Sequence, residues 1–232
     1  MTARPAYKEA LDTAPGTLSD RVYRHLADRL VAGRFAPGDK LSLRAVAEAL
    51  GLSMMPVREA ISRLGAEGAL EVTPKRAVTV PLMGAAQFRD LSRVRIEIEG
   101  TAAAMAAEMC DPEALRQVRA CEYAFRALSH SARPDLAAAV AANQAFHFAV
   151  YRAAASPELL AIIERLWLRV GPVINLDLRE NPERLKLGEA VRFHADALAA
   201  IAAGDAAAAR QAIAGDIRGA SNFILSRGRL PD

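Results

Sequence analysis

Apolar residues recur along this chain at helical spacing, with one short interruption. Leu18, Val22, Leu26 and Leu30 share a face after Thr17-Leu18-Ser19-Asp20, a capping residue followed three positions later by an acid. Gly33 closes this first predicted helix. After a turn at Ala36-Pro37-Gly38-Asp39, Ser42 caps a second helix over Leu43 to Leu50. Only Gly51, Leu52 and Ser53 separate it from a third, which runs from Ser53 to Gly68. In the third, Val57, Ile61 and Leu64 form a packing side, while Met54, Arg58 and Ser62 make a second row that faces elsewhere. Pro56 falls in its first turn, where a missing N–H has no intrahelical partner to lose. Ala69 to Thr73 and Ala77 to Val80 then read as two short strands around Pro74-Lys75-Arg76, a hairpin with a basic tip. Two helices joined by three residues, a helix before them and a hairpin after them predict a winged helix-turn-helix.

Pro81 to Gly84 reads as a linker, and the remainder is helical in pattern and rich in Ala. Asp111-Pro112-Glu113, Ser156-Pro157-Glu158 and Asn181-Pro182-Glu183 each place a capping residue, then Pro at the first helical position, then an acid in the first turn. With starts near Gly84, Pro134-Asp135 and Gly204-Asp205, six helices joined by short loops are expected, and Gly171-Pro172 should kink one of them. The predicted fold is mostly α: a tail over 1–16, a winged helix-turn-helix with its small β-hairpin over 17–81, and an antiparallel all-α bundle over 82–232.

Composition narrows the setting. The chain has 232 residues, of which 52% are hydrophobic and 25% charged, enough for a sizeable core in a globular protein. Its net charge of +3 is unevenly placed: residues 1–83 hold 12 Lys and Arg against 9 Asp and Glu, and residues 84–232 hold 18 of each. The excess therefore lies in the segment with the basic hairpin tip. Cys110 and Cys121 form no metal-type pair and the N-terminus resembles no signal peptide, so a reducing cytoplasm is expected. No charge-free run of about 18 apolar residues exists, which argues against a membrane protein.

The run PGDKLSLRAVAEALGLSMMPVREAISRLGAEGALEV resembles the N-terminal signature of GntR-family transcription regulators of the FadR subfamily, in which PG, a leucine-rich helix and P-V-R-E-A recur at this spacing. DLSRVRIEIEG, NQAFH and FHADALAAIAAGDAAAAR are similar to the helical FCD effector-binding domain of that subfamily, so the resemblance runs from about Thr17 to Arg227. It implies a homodimer, a repressor being the expected sense, on a double-stranded operator. Arg44 and Arg58 match positions the family uses on DNA, and Lys75 and Arg76 match the wing that reaches the minor groove. Arg58 is the expected base reader, because a guanidinium fork reaches guanine O6 and N7 together; Lys75 and Arg76 suit phosphates or a narrow minor groove. Ser53, Met54 and Met55, at the helix start, complete the DNA-facing set. Met54 stands where the family usually has Arg, and Ala77 where Gly is usual.

The bundle carries a second set. Leu136, Val140, Asn143, His147 and Val150 share one stripe; His194 falls with Val191, Leu198 and Ile201; Asp216 falls with Ile213, Ala220 and Phe223. Polar groups on inward stripes are costly without partners, and several helices can share a metal or polar ligand. In FCD domains of the metal-binding type the ligands are Asp, His, His and His; the matching places here read Asn143, His147, His194 and Asp216, with the carboxylate moved to the last helix. Such a set suits Zn²⁺, Ni²⁺, Fe²⁺ or Mn²⁺. Arg95 shares an inward stripe with Leu91, Ile98 and Ala102, and the expected effector is a small organic acid between the metal and Arg95, near Asn143, His147 and His194. Glu99, four residues on, is the competing partner for that guanidinium. His25 and His130 are read as structural. Two histidines and a carboxylate also serve non-haem iron enzymes. That alternative leaves the first 83 residues without a purpose, and no nucleophile motif, phosphate loop or paired-carboxylate site supports it.

Overall fold

Helix α1 (Leu18–Val31) opens on the predicted capping box: the Thr17 hydroxyl accepts from the Asp20 amide at 3.2 Å, and the Asp20 carboxylate accepts from the Thr17 amide at 3.0 Å. The structure is a computed structural model in which residues 15–73, 77–109, 111–181 and 183–231 are described. Val22, Leu26 and Leu30 are buried as their spacing requires, whereas Leu18 stands 45% exposed at the helix start. A two-residue strand, β1 (Lys40–Leu41), leads into α2 (Leu43–Leu50), where the Ser42 hydroxyl accepts from the Ala45 amide at 3.3 Å. Gly51, at φ 68°, stops that helix in the left-handed region that only a residue without a Cβ enters freely. Helix α3 (Met54–Ala66) buries Val57, Ala60, Ile61 and Leu64. Tyr23 of α1 donates to Glu67 at 2.6 Å, and Arg63 of α3 pairs with Asp20 at 2.6 Å, which ties the two helices at their polar margins.

The predicted hairpin forms from shorter strands, β2 (Glu71–Val72) and β3 (Val78–Thr79), with Val72 opposite Val78. Its tip lies outside the described residues. Strand β1 pairs with the other edge of β3, Lys40 opposite Thr79 and Leu41 opposite Val78, so the sheet has three strands in the order β1-β3-β2. Strand β1 leaves no mark in the sequence, because two residues are too few to show alternation.

Seven helical segments follow: α4 (Ala85–Met109), α5 (Pro112–Ser129), α6 (Leu136–Ala153), α7 (Pro157–Glu180), α8 (Glu183–Lys186), α9 (Glu189–Ala203) and α10 (Ala206–Ser226). Asp111, Asp135, Ser156 and Asp205 cap their helices by accepting from first-turn amides. A helix does open after Asn181, at Glu183, but the predicted cap requires correction. Asn181 ends α7 instead, its side chain donating back to the Asp177 carbonyl at 3.0 Å. The segment after it forms only one turn, α8, and Gly188 at φ 72° breaks the chain before α9. The fifth predicted helix is thereby divided.

Helix α4 packs most extensively on α10, and both bury small residues, Ala102, Ala103, Ala106 and Ala107 on α4 and Ala209 and Ala212 on α10. At Gly100 a Cβ would sit 3.1 Å from the Arg210 side chain, so small residues set the approach of these helices. The helix-turn-helix is seated on the bundle through α1 and α7. At Gly171 a Cβ would lie 2.8 Å from both Cα and O of Val31, and the Asn175 amide donates to that same Val31 carbonyl, one of the orphan acceptors at the end of α1. Pro172 lies inside α7. No described helix is long and apolar enough to cross a membrane.

Candidate functional site

The outer face of the helix-turn-helix is built by default, as the part of α2 and α3 that the core does not use. Arg58 follows the buried Val57 and is exposed, without a hydrogen bond or ion pair to any described residue. It lines a groove of about 470 Å³ with Leu43, Ser62, Gly65 and Val72, between α3 and the sheet. Arg44 is exposed on α2 and pairs with Glu48 at 3.0 Å, an i,i+4 contact open to solvent. Met54 and Met55 are 36% and 60% exposed, unusual for methionine on a surface with no other duty. Ser53 occupies the N-cap of α3, yet its hydroxyl makes no capping bond and remains available. Lys75 and Arg76 lie outside the described residues.

In the bundle, three of the four predicted ligands converge. Helices α6, α9 and α10 bring His147, His194 and Asp216 together, one donor atom from each lying within 4.8 Å of the others. His147 Nε2 is 3.2 Å from Asp216 Oδ2, and His194 Nε2 is 3.8 Å from Asp216 Oδ1. Burial opposes ionisation of Asp216, but the His147 hydrogen bond and the neighbouring His194, His147 and Arg184 outweigh it and hold the carboxyl at about 2. Burial pulls the His194 imidazole down to about 3 against the attraction of Asp216. The centre thus combines a carboxylate with a neutral imidazole, both in the state a metal requires. Neither nitrogen of His194 has a hydrogen-bond partner among the described residues, although the side chain is fully buried. Phe146 stacks on its ring at 3.9 Å and fixes its plane. Asn143 stands one turn before His147 on α6, partly buried.

Arg95 points inward as its stripe requires, but its guanidinium is already engaged. Nε and Nη2 donate to the two Glu99 oxygens at 2.6 and 3.0 Å, a bidentate pair inside α4. The competing partner named from sequence is therefore the one observed. One residue not singled out from the sequence, Tyr151, extends this pair to the His147 centre. Tyr151 donates its hydroxyl to Glu99, and its oxygen lies 3.0 Å from His147 Nδ1. With the phenolic proton given to Glu99, Tyr151 accepts from Nδ1–H of His147. Nε2 of His147 then faces Asp216 Oδ2 at 3.2 Å, where either the proton of a hydrogen bond or a metal ion can lie between the two atoms. Tyr151 thus fixes the orientation of the His147 ring, as the outer partner of a metal-binding histidine does. Tyr151 sits four residues after His147, so the stripe that revealed the histidine also contained it.

Asp216, 9% exposed, is the least enclosed of the three. It opens on a narrow cleft beside Arg184, Phe193 and Phe223, and the Phe193 ring lies over Gly215, where any Cβ would collide with it. His25 is half-buried in α1 and His130 is the exposed C-cap of α5; neither joins the centre.

Comparison with known proteins bears on both regions. Residues 18–80 match the family of bacterial regulatory proteins, gntR family, and residues 90–219 match the FCD domain. The HTH-type transcriptional regulator McbR of Escherichia coli (strain K12) is 33% identical over 198 residues, covering 85% of this chain and 88% of McbR. The probable D-xylose utilization operon transcriptional repressor of Paenarthrobacter nicotinovorans is 27% identical over 197 residues, covering 85% of this chain and 84% of its own. The solved structure of E. coli McbR/YncC superposes with a TM-score of 0.82 at 30% identity, over 93% of this chain and 100% of that one. A putative transcriptional regulator GntR from Rhodococcus sp. RHA1 shares the fold, with a TM-score of 0.69 at 23% identity, over 90% and 97% of the two chains. These relatives are regulators of transcription, and the iron-enzyme alternative finds no support among them. With a helix-turn-helix that matches one profile and a bundle that matches the other, the chain belongs to the GntR family of bacterial transcription regulators and carries an FCD domain.

Proposed function

We propose that this DNA-binding regulator is a cytoplasmic repressor of the FadR subfamily that binds a pseudo-palindromic operator as a homodimer. Its control is a small organic acid bound at a divalent metal ion, Zn²⁺, Ni²⁺, Fe²⁺ or Mn²⁺, held by His147, His194 and Asp216 with Asn143 as a further donor. In this reading residues 17–81 contact DNA and residues 82–232 bind the effector and the second subunit. Repression is favoured by the Paenarthrobacter relative, a probable transcriptional repressor, and pairing by the small surface one such module offers to DNA. Arg58 reads a base, Arg44 and Ser53 support the helix on the backbone, and Met54 and Met55 lie on the groove-facing side.

The observation that carries the metal is His194: two buried ring nitrogens without partners are costly, and the nearest complement is Asp216. A zinc–nitrogen bond of about 2.0–2.1 Å puts neighbouring ligand atoms roughly 3.3 Å apart in a tetrahedron, close to the His147–Asp216 distance of 3.2 Å. When bound, the ion supplies a positive charge and an open position to which a carboxylate can attach. His147 is kept in the productive tautomer by Tyr151 and Glu99, and Phe146 keeps His194 in plane. The test is metal analysis of protein purified without chelator, then calorimetry with a panel of organic acids on wild type and on His147→Ala/His194→Ala, with operator binding followed in parallel. Stoichiometric metal, acid binding lost in the double variant and an operator affinity that responds to the acid are expected. Acid binding undiminished in the double variant would sink the proposal.

A further inference from the structure

Helix α7 brings one more polar group beside His147, and no described residue accepts its proton. Ile163, Trp167 and Val170 are fully buried at helical spacing, so the indole of Trp167 is carried into the core by an apolar stripe. Its ring lies 5.4 Å from that of His147 and 5.2 Å from that of Phe148, with the Arg95 guanidinium over it at 5.1 Å. Buried indole N–H groups find acceptors as a rule. Trp167 Nε1 is fully enclosed and has none among the described residues. Arg95, by contrast, has its charge matched and two of its N–H groups fixed by Glu99.

We infer that Trp167 is the specificity-determining donor for the effector: its indole N–H bonds to an oxygen of a small carboxylate bound beside His147, while Arg95 stacks on the ring and positions it. The inference rests on the proposed metal and carboxylate site and adds the residue that reads the ligand. It explains why a polar edge is kept at a position where Phe would fill the same apolar stripe without an orphan donor. The ligand class is an acid with an oxygen free of the metal, since a donor rather than an acceptor is what the indole offers.

Trp167 is the single tryptophan of the chain, so its indole gives one ¹⁵N–¹H resonance and one source of indole emission. The experiment takes full-length, Zn²⁺-loaded protein and titrates it with mono-, di- and hydroxy-carboxylates of two to six carbons, following that resonance in the wild type. The acid that binds should move the indole proton downfield. In Trp167→Phe the same acid should bind about 10- to 100-fold more weakly, the loss expected for one hydrogen bond to a charged acceptor, with zinc content and operator affinity retained. If an acid binds wild type but leaves the indole proton in place and binds Trp167→Phe equally well, Trp167 is not the reader, and the metal and carboxylate proposal stands. If no acid binds the zinc-loaded wild type, both fall. Should Trp167→Phe fail to fold, the wild-type resonance alone decides.

Discussion

Glu99→Ala should be among the most destabilising single changes in this protein, for a reason visible in three side chains. Arg95 and Glu99 have side chains 5% and 0% exposed, and they hold each other by two hydrogen bonds. Removing the carboxylate strands a guanidinium in the core, which costs about 3–5 kcal/mol. It also deprives the buried Tyr151 hydroxyl of its acceptor, at about 1–3 kcal/mol more. For a chain of this length about 2–4 °C of melting temperature follows each kcal/mol, so the two losses together, at least about 4 kcal/mol, should lower it by at least roughly 8 °C. The measurement is thermal unfolding by circular dichroism, with metal-free protein so that ligand binding does not enter.

A cycle separates the pair from its parts. Arg95→Met should cost about as much as Glu99→Ala, because it leaves a buried carboxylate with only Tyr151. Arg95→Met/Glu99→Leu/Tyr151→Phe removes the buried charges and the phenol hydroxyl together, leaving only His147 Nδ1 without its partner, and should recover most of the loss, as apolar replacements of buried ion pairs do. The triple variant should nonetheless bind metal about 10- to 100-fold more weakly, since His147 Nδ1 has lost the partner that orients it. If Glu99→Ala melts within a degree of wild type, or the triple variant is worse than either single change, the network does not bear on stability in the way described.

On the DNA side, Arg58→Ala should relax preference at one base pair by roughly 1–3 kcal/mol, whereas Lys75→Ala should lower affinity for all sequences alike and flatten the salt dependence. Binding-site selection and titrations at several salt concentrations distinguish the two, and an unchanged base profile in Arg58→Ala would remove it as the reader. Gly171→Ala places a Cβ 2.8 Å from Val31 Cα and O; it should cost about 1–3 kcal/mol by overpacking and expose the α1–α7 junction to proteolysis, while a melting curve matching wild type would show that the contact is not close.

The parts of the fold legible in the sequence are those whose signal is local. Thr17-Leu18-Ser19-Asp20 carries its own capping box, and Asp111, Asp135, Ser156 and Asp205 each announce a helix because the cap acts within three residues. Asn181-Pro182-Glu183 follows the same local grammar and yet misled. The Asn181 side chain has a nearer acceptor in Asp177, and Arg184 reaches back to the same residue at 2.9 Å, so the segment is held to the end of α7. Strand β1 exists only because β3 offers a second edge, a condition no two-residue pattern can reveal.

The candidate centre divides along the same line. His147, His194 and Asp216 were found from inward stripes, because an inward polar side chain is anomalous by itself and needs no knowledge of its partner. What the stripes do not carry is pairing across helices. Arg95 and Glu99 are neighbours in sequence, so their contact was open to view, and the choice between Glu99 and a ligand turned on packing alone. Tyr151 joins Glu99 across 52 positions, and the indole of Trp167 reaches His147 from a different helix. Both residues pass on a stripe as ordinary core aromatics, since their apolar bodies satisfy the periodicity and only one polar atom in each does not. The polar atom becomes informative when its surroundings are known: Tyr151 is satisfied twice and orients a histidine, whereas Trp167 Nε1, equally buried, has no partner among the described residues. The difference between a structural aromatic and a ligand-reading one thus lies in a single unpaired proton, which no count of apolar positions along the chain records.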